Sequence, residues 1–302
     1  MSGEAPVVAI SGASGLLGHA LRGHLASAGY RVLALVRRRE QADDTHVWWD
    51  PSSADNDLSA LAGARAVVHL AGENVAQRRW SEAQKRRIHD SRKLGTENLS
   101  RALAALERPP QALISASGIG YYGDSGDRVL VESDPPGPGF LSQVCIDWEA
   151  GADGARARGI RVVHPRIGLV LSAEGGALAR MLPVFRLGLG GKIGNGRQYL
   201  SWISLLDLVR VLRFAIETPS LAGPINAVAP SAVTNADFTR TLGRVLGRPT
   251  PFAVPEFALR VALGGLSTEL LSSQRVAPAA LTRAGFEFQH PDLDGALRAA
   301  LS

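Results

Sequence analysis

Cysteine is all but missing from this chain: Cys145 is the single one in 302 residues. That excludes an internal disulfide and fits a reducing compartment. Lysine is scarce too. Three of the 33 basic residues are lysine (Lys85, Lys93 and Lys192), and the rest are arginine. The net charge of +5 therefore reflects an arginine skew, which genomic base composition explains as readily as a polyanionic partner. The densest basic stretch, 78–93, is broken by Glu82, Asp90 and apolar residues at helical spacing. It reads as a solvated helix face, and no nucleic-acid partner is expected. Long apolar runs are lacking: none approaches the roughly 20 residues that cross a bilayer. The N-terminus also lacks the basic, then apolar, then small-residue order of a secretion signal. These absences predict a cytoplasmic protein with no membrane partner. No His/Cys/Asp/Glu group has ligand spacing, so no metal site is expected.

What is present is a chain that is 45% hydrophobic and 20% charged, enough to bury a full core as one large α/β unit or two domains. Its opening is the most specific feature. The apolar run Val7–Ser11 passes into Gly12, Gly15 and Gly18, and an amphipathic helix follows with Leu16, Leu17, Leu21 and Leu25. In such a strand–turn–helix the first glycine allows the sharp turn and the second lets the backbone approach a pyrophosphate. The third lets helix and strand pack closely. Bare helix-start N–H groups and the positive end of the dipole then favour an anion. Gly12, Ser14, Gly15, Leu16, Leu17 and Gly18 are the candidate phosphate-side contacts.

Strands are expected at Val7–Ser11, Arg31–Val36, Ala66–Ala71, Ala112–Ser117 and Arg161–Arg166, with a short extra one at His46–Asp50. Helices Gly15–Ala28, Ser81–Glu107 and Leu141–Arg158 alternate with them. Apolar strands separated by helices predict a doubly wound parallel sheet of the α/β class. After about Ile167 the rhythm changes to a glycine-rich stretch at 175–196, helices at Leu205–Glu217 and Asn235–Leu246, and a loop or edge strand at Pro249–Pro255. We therefore expect a dinucleotide-binding domain over 1–170 and a small substrate-side region over 171–302. That division leaves open the return of some later segments to the sheet.

The second strand selects the nucleotide. A carboxylate at its end would bond a ribose 2′-OH, whereas arginine accommodates a 2′-phosphate. Here Val36 runs into Arg37, Arg38 and Arg39 before the first acid, Glu40. A planar guanidinium suits phosphate. The expected cofactor is NADP(H), with Arg37 as principal contact and Val36 and Arg38 beside it.

The segments SGASGLLG (11–18), VVHLAG (67–72), SASGIGYYG (115–123), PRIGLVLS (165–172) and GNGRQYLSWISLLDL (194–208) resemble the extended short-chain dehydrogenases/reductases. These form the nucleotide-sugar epimerase/dehydratase superfamily. HLAGENV, DSRKLGT, FLSQVCIDWE, FRLGLGGKIGNG and ALTRAGFEFQHPDL narrow the resemblance to the atypical branch called epimerase family protein, family 39U, from about Val7 to Leu301. The resemblance implies a Rossmann domain of the extended type and an NADP-dependent oxidoreductase or sugar-nucleotide epimerase of unassigned substrate. It also implies cofactor contacts at Leu70, Ala71 and Gly72, at Arg92, at Ser115, and at Arg166 and Val170.

One family feature is missing. Typical members carry Tyr-x-x-x-Lys on the helix after the SAS-type strand, because free tyrosine titrates near 10 and needs help to act as a base. Four positions after Tyr30, Tyr121, Tyr122 and Tyr199 stand Ala34, Ser125, Gly126 and Ile203. Alignment on Glu149 puts Leu141 at the tyrosine position and Cys145 at the lysine position. Three readings follow. Ser117 orients a carbonyl or hydroxyl while Tyr121 or Tyr122 transfers the proton. Alternatively, Cys145 substitutes as nucleophile or acid. In the third, the protein binds NADP(H) as a sensor or scaffold without turnover. Glu73 and Asn74 follow a strand at its carboxyl end and are candidates to bind a polar small-molecule substrate. Gln198 and Trp202 are candidates to line its cleft, as is Trp80. His69 and His164, within apolar strands, are expected to be satisfied core histidines. A homodimer is left open.

Overall fold

The computed structural model describes residues 5–53, 55–76 and 78–302. Seven parallel strands form one sheet: β1 (Val7–Ser11), β2 (Arg31–Val36), β3 (His46–Trp48), β4 (Ala66–His69), β5 (Ala112–Ser115), β6 (Arg161–Ile167) and β7 (Gly223–Ala227). Their order is β7-β6-β5-β4-β1-β2-β3, with Ser117–Gly118 adding a short piece beside β6. The order reverses between β1 and β4, which opens a crevice at the carboxyl ends of those strands, where ligands of such sheets bind. The fold is the doubly wound Rossmann type expected from the sequence.

Side chains of a strand alternate between faces, and both faces here are apolar. Val8, Ile10, Val68, Ile114, Val163 and Ile225 meet Leu21 and Leu25 of α1 (Leu16–Ser27). Leu208, Val211 and Leu212, from a later helix at Leu205–Glu217, cover the same face. On the other face Ala9, Val67, Leu113 and Val162 meet Leu99 and Leu103 of α2 (Glu82–Ala104). A third core holds Leu178, Leu182, Trp202, Phe238 and Leu297. Helix starts follow their caps: the hydroxyls of Ser81, Ser204 and Thr234 accept from the backbone N–H groups of Gln84, Asp207 and Asp237.

Three boundaries differ from expectation. The helix expected over Leu141–Arg158 divides into α3 (Phe140–Ala150) and α4 (Asp153–Ala157). The break falls at Gly151, which lies so close to α2 that a Cβ there would stand 3.0 Å from Thr96. The strand expected to reach Ser117 stops at Ser115, and after Ala116 the chain steps across to pair Ser117 with Arg166. The glycine-rich stretch also holds a helix, α5 (Gly176–Arg186), which buries Leu178, Leu182 and Phe185. Strand β7, from the later half of the chain, closes one sheet edge beside β6. Among the described residues no helix is long and apolar enough to cross a membrane.

Candidate functional site

The glycine turn owes its shape to steric exclusion. Gly12 has φ +70°, and a Cβ on it would meet the backbone of Leu70 and Ala71 at 3.0 Å. A Cβ on Gly18 would lie 2.2 Å from the Gly12 carbonyl oxygen and 2.7 Å from Ala13 Cα. The first turn of α1 therefore sits directly on the strand–helix turn. Gly15 is different: its nearest neighbour would be the Gly12 oxygen at 3.4 Å, and the residue is exposed beside exposed Ser14. As N-cap, Gly15 supplies no side-chain cap, and no acid stands in the first turn. The early N–H groups of α1, at Leu16 and Leu17, are thus left without an intrahelical acceptor or a side-chain cap. A turn closed too tightly for side chains at Gly12 and Gly18, with uncapped donors beside exposed Gly15, fits a dinucleotide pyrophosphate.

The carboxyl end of β2 lies beside this turn, since Leu35 pairs with Ser11. Val36 is half-buried and Arg37, Arg38 and Arg39 are exposed. Arg38 lies 3.7 Å from Glu40, and Arg39 stacks 4.6 Å above the Trp48 ring. Arg37 has no ion-pair partner among the described residues.

At the end of β4 the register sets Ser11, His69 and Ser115 side by side. Ser11 Oγ lies 2.6 Å from His69 Nδ1 and accepts from the Leu70 N–H at 3.1 Å. The expectation of a fully satisfied His69 needs correction: its Nε2 is buried and unpartnered, as is Ser115 Oγ. Burial, and then the Arg92 charge, pull the His69 pKa from 6.5 down to about 4. Between those values the unfolded chain binds a proton that the folded chain refuses. The His69 contribution to stability is therefore fully present above about pH 6.5 and is lost toward pH 4, on the order of 3 kcal/mol. His69→Gln should flatten the fall in Tm between about pH 7 and pH 5. An unchanged slope would assign the acid sensitivity to other groups.

Beyond His69 the chain leaves the sheet as an extended loop. Gly72 is exposed, and a Cβ there would touch the Arg92 guanidinium at 3.3 Å. Arg92 donates to the Glu73 carbonyl at 2.9 Å and lies 4.8 Å over the Trp148 ring, so it braces this loop from beneath. The Glu73 carboxylate accepts from Gln84 at 3.1 Å, and the exposed Asn74 side chain accepts from the Ala76 N–H.

The ends of β5 and β6 converge on one carboxylate. Glu149 of α3 accepts from Ser117 Oγ at 2.8 Å and takes Arg166 in two hydrogen bonds of 2.8 and 2.9 Å. Arg166 also donates to Tyr122 Oη at 3.0 Å and to the Glu132 carbonyl at 3.3 Å. Tyr122 in turn donates to Asn226 Oδ1 at 2.7 Å. Burial lowers the Arg166 pKa, but the bonds and charge of Glu149 outweigh it and drive it up. Two expectations change. Arg166 was expected to face the cofactor, yet its guanidinium is buried and committed to this network. Tyr122 was one of two candidate proton donors, yet its hydroxyl is buried and engaged on both sides, and burial raises its pKa. Tyr121 is the more open of the pair, half-buried and stacked against Arg166 at 3.4 Å from the ring centroid. Val170 pairs with Ile203, which holds the segment after β6 against the first core.

Residues 8–228 match the NAD dependent epimerase/dehydratase family, and residues 254–300 match a domain of unknown function, DUF1731. The chain belongs to the NAD dependent epimerase/dehydratase family. It is 50% identical over 292 residues to epimerase family protein Mb2239 of Mycobacterium bovis, covering 96% of both chains. The crystal structure of human epimerase family protein SDR39U1 with NADPH superposes at TM-score 0.87 with 34% identity, covering 97% of this chain and 98% of that one. The Thermus thermophilus UDP-glucose 4-epimerase complex with NAD shares the fold at TM-score 0.76 and 18% identity, over 97% and 96%.

In this family member the helix expected to carry the usual dyad is α3, and its side chains are of another kind. Leu141 packs over Gly120, where a Cβ would approach it to 3.1 Å. Cys145 is buried against the Gly118 carbonyl at 3.5 Å, and burial pushes its thiol up to about 11. A thiol so protonated does not serve as a nucleophile near neutral pH. Trp202, a candidate either to line the cleft or to pack, is wholly buried in the third core, with its indole N–H on the Ser231 carbonyl at 2.9 Å. Gln198 is also buried and donates to the Ile193 carbonyl at 3.2 Å, tying a loop rather than facing outward. Trp80 donates to the Val75 carbonyl and packs edge-on against Phe140. Sequence reasoning missed Glu132 and Asn226. Glu132 Oε1 accepts from the N–H groups of Asn226 and Ala280, fastening three distant segments. Glu132 lies in no motif; Asn226 opens NAVAPSAVTNADF (226–238), a segment that resembles the family without marking this role.

Proposed function

We propose that this protein binds NADP(H) across the carboxyl edge of the sheet and performs oxidoreductase or epimerase chemistry on a polar carbonyl or carbinol substrate. The observation that carries the reading is the glycine turn: α1 sits on it too closely for a Cβ at Gly18, and the uncapped start of α1 at exposed Gly15 presents donors to a pyrophosphate. The family match and the NADPH-bound human relative support it. Gly12, Ser14, Gly15, Leu16, Leu17 and Gly18 would hold the diphosphate, and Arg37 the 2′-phosphate. Leu70, Ala71 and Gly72 would border the adenosine side, with Arg92 supporting their loop. The nicotinamide supplies a hydride donor or acceptor when bound.

The protein's own part is orientation and the proton. Because Ser117 donates to Glu149, its oxygen lone pairs remain to accept from a substrate hydroxyl. Tyr121 is the candidate to exchange the proton, since Tyr122 is engaged. Residues 1–170 would carry the cofactor, with 171–302 on the substrate side and Glu73 and Asn74 at the boundary. A second reading, NADP(H) binding without turnover, draws on the lysine position, where Cys145 is buried and protonated.

Titration with NADPH and NADH tests the cofactor. Arg37→Gln should weaken NADPH binding about 10–100-fold, the worth of a hydrogen bond to a charged group, and leave NADH little changed. Equal affinities of the native protein for the two nucleotides would sink the NADP preference. Against a panel of carbonyl compounds, Tyr121→Phe should lose turnover that Tyr122→Phe retains. Absence of turnover in the native protein would favour the second reading.

A further inference from the structure

Seven of the ten large apolar side chains left exposed among the described residues cluster in three adjoining pieces. Val184, Leu187 and Leu189 lie at the end of α5 and in the turn after it, and Phe252 lies on a short strand. Phe257, Val261 and Leu270 lie on the helices Glu256–Leu263 and Leu266–Leu271. Leu187 and Phe257 are 74% and 71% exposed, which is open surface rather than a loosely covered core. The pieces are joined: Gly191–Ile193 pairs with Phe252–Val254, and a Cβ on Gly194 would touch both Glu256 and Leu271. Phe257 and Val261 are four apart and share a helix face.

The unpaired charge around this surface is mostly positive. Residues 176–200 contain Arg180, Arg186, Lys192 and Arg197 and no carboxylate, and residues 247–255 contain Arg248 and none. Arg186, Lys192, Arg197 and Arg248 are exposed and have no ion-pair partner among the described residues. Of the nearby acids, Glu256 lies 3.6 Å from Arg260, and burial raises the pKa of Glu269. Apolar side chains that stand out among unpaired cations match the boundary of an anionic bilayer, where rings and aliphatics enter the acyl edge and cations meet headgroups. A second copy of the chain is a poorer fit. A two-fold interface sets a patch against itself and would bring the same unpaired cations together.

Against the expectation of no membrane partner, which rests on the absence of a spanning run, we propose that this face, formed by the end of α5, the Phe252 strand and the two helices over 256–271, docks the protein on an anionic lipid surface. This face includes none of the residues assigned to the cofactor. It joins the loop after β4 through Arg180, which donates to the Ala76 carbonyl, and a Cβ on Gly264 or Gly265 would touch Arg79 or Trp80.

Co-sedimentation of the full chain with phosphatidylcholine vesicles, with and without phosphatidylglycerol, tests the proposal. Partition should be about tenfold higher on the anionic vesicles and should fall in high salt. Phe257→Ser with Val261→Ser, and separately Arg186→Glu with Lys192→Glu, should each cut it about fivefold. NADPH affinity, unchanged in both variants, reports an intact fold. Equal partition onto neutral vesicles, no partition at all, or variants that bind as the native protein does would overturn it. So would a dimer in solution that the Phe257/Val261 variant splits.

Discussion

Gly18→Ala should reduce NADPH affinity about 10–100-fold, because lifting α1 off the turn misplaces the N–H groups that would bond the diphosphate, and a hydrogen bond to a charged group is worth about 1.5–3 kcal/mol. The added methyl would lie 2.2 Å from the Gly12 oxygen, and both neighbours are backbone, so neither can rotate away. Two effects on stability oppose each other. Alanine is a better helix former than glycine by about 1 kcal/mol. Overpacking a closed contact costs about 1–3 kcal/mol, and here α1 must lift off the turn to relieve it. The clash wins, and a net loss of stability is expected with the loss of affinity. Gly23→Ala is the control on the same helix. Nothing lies within 4 Å of its Cβ, so it should stabilise by up to about 1 kcal/mol with affinity unchanged. The prediction fails if Gly18→Ala binds NADPH as tightly as the native protein and melts at the same temperature.

Glu149→Ala should destabilise the fold by about 3–5 kcal/mol, the cost of leaving a buried charge without its partner. The Arg166 side chain is 3% exposed and that of Glu149 15%, so solvent cannot replace the lost carboxylate. The remaining acceptors, Tyr122 Oη and the Glu132 carbonyl, are neutral. Ser117 would lose its acceptor as well, so any turnover should fall beyond what unfolding explains. Chemical denaturation measures the first effect, and assays well below Tm measure the second. Replacing both partners, Glu149→Leu with Arg166→Met, should recover much of the stability and none of the Ser117 orientation. A loss of only about 0.5 kcal/mol for Glu149→Ala would mean that the pair behaves as an exposed one does.

The two predictions differ in how visible their causes are in the sequence. Gly12, Gly15 and Gly18 are legible because a strand, a tight turn and a helix start are set by backbone sterics within about ten residues. The sheet is legible for a similar reason. Alternating apolar segments such as Val7–Ser11 and Ala112–Ser115 can be buried on both faces only between helices. Arg37 is legible through its place at the end of one strand. The boundary at Gly151 was not, since its cause is the approach of α2 from some 50 residues earlier.

By itself, then, the sequence determined the parallel sheet, the glycine cradle and the basic residue beside it, all products of local conformation and side-chain period. Only the tertiary structure decided which polar groups are already engaged. Tyr121 and Tyr122 are neighbours in the chain, yet one is half-buried and the other is locked to Asn226, 104 residues away. The Arg166 guanidinium and the Trp202 indole are hydrogen-bonded inside the fold, while the His69 Nε2 finds no partner among the described residues. A buried polar group must find its partner wherever the fold brings one, so its role is set by the chain's return and not by its neighbours in sequence.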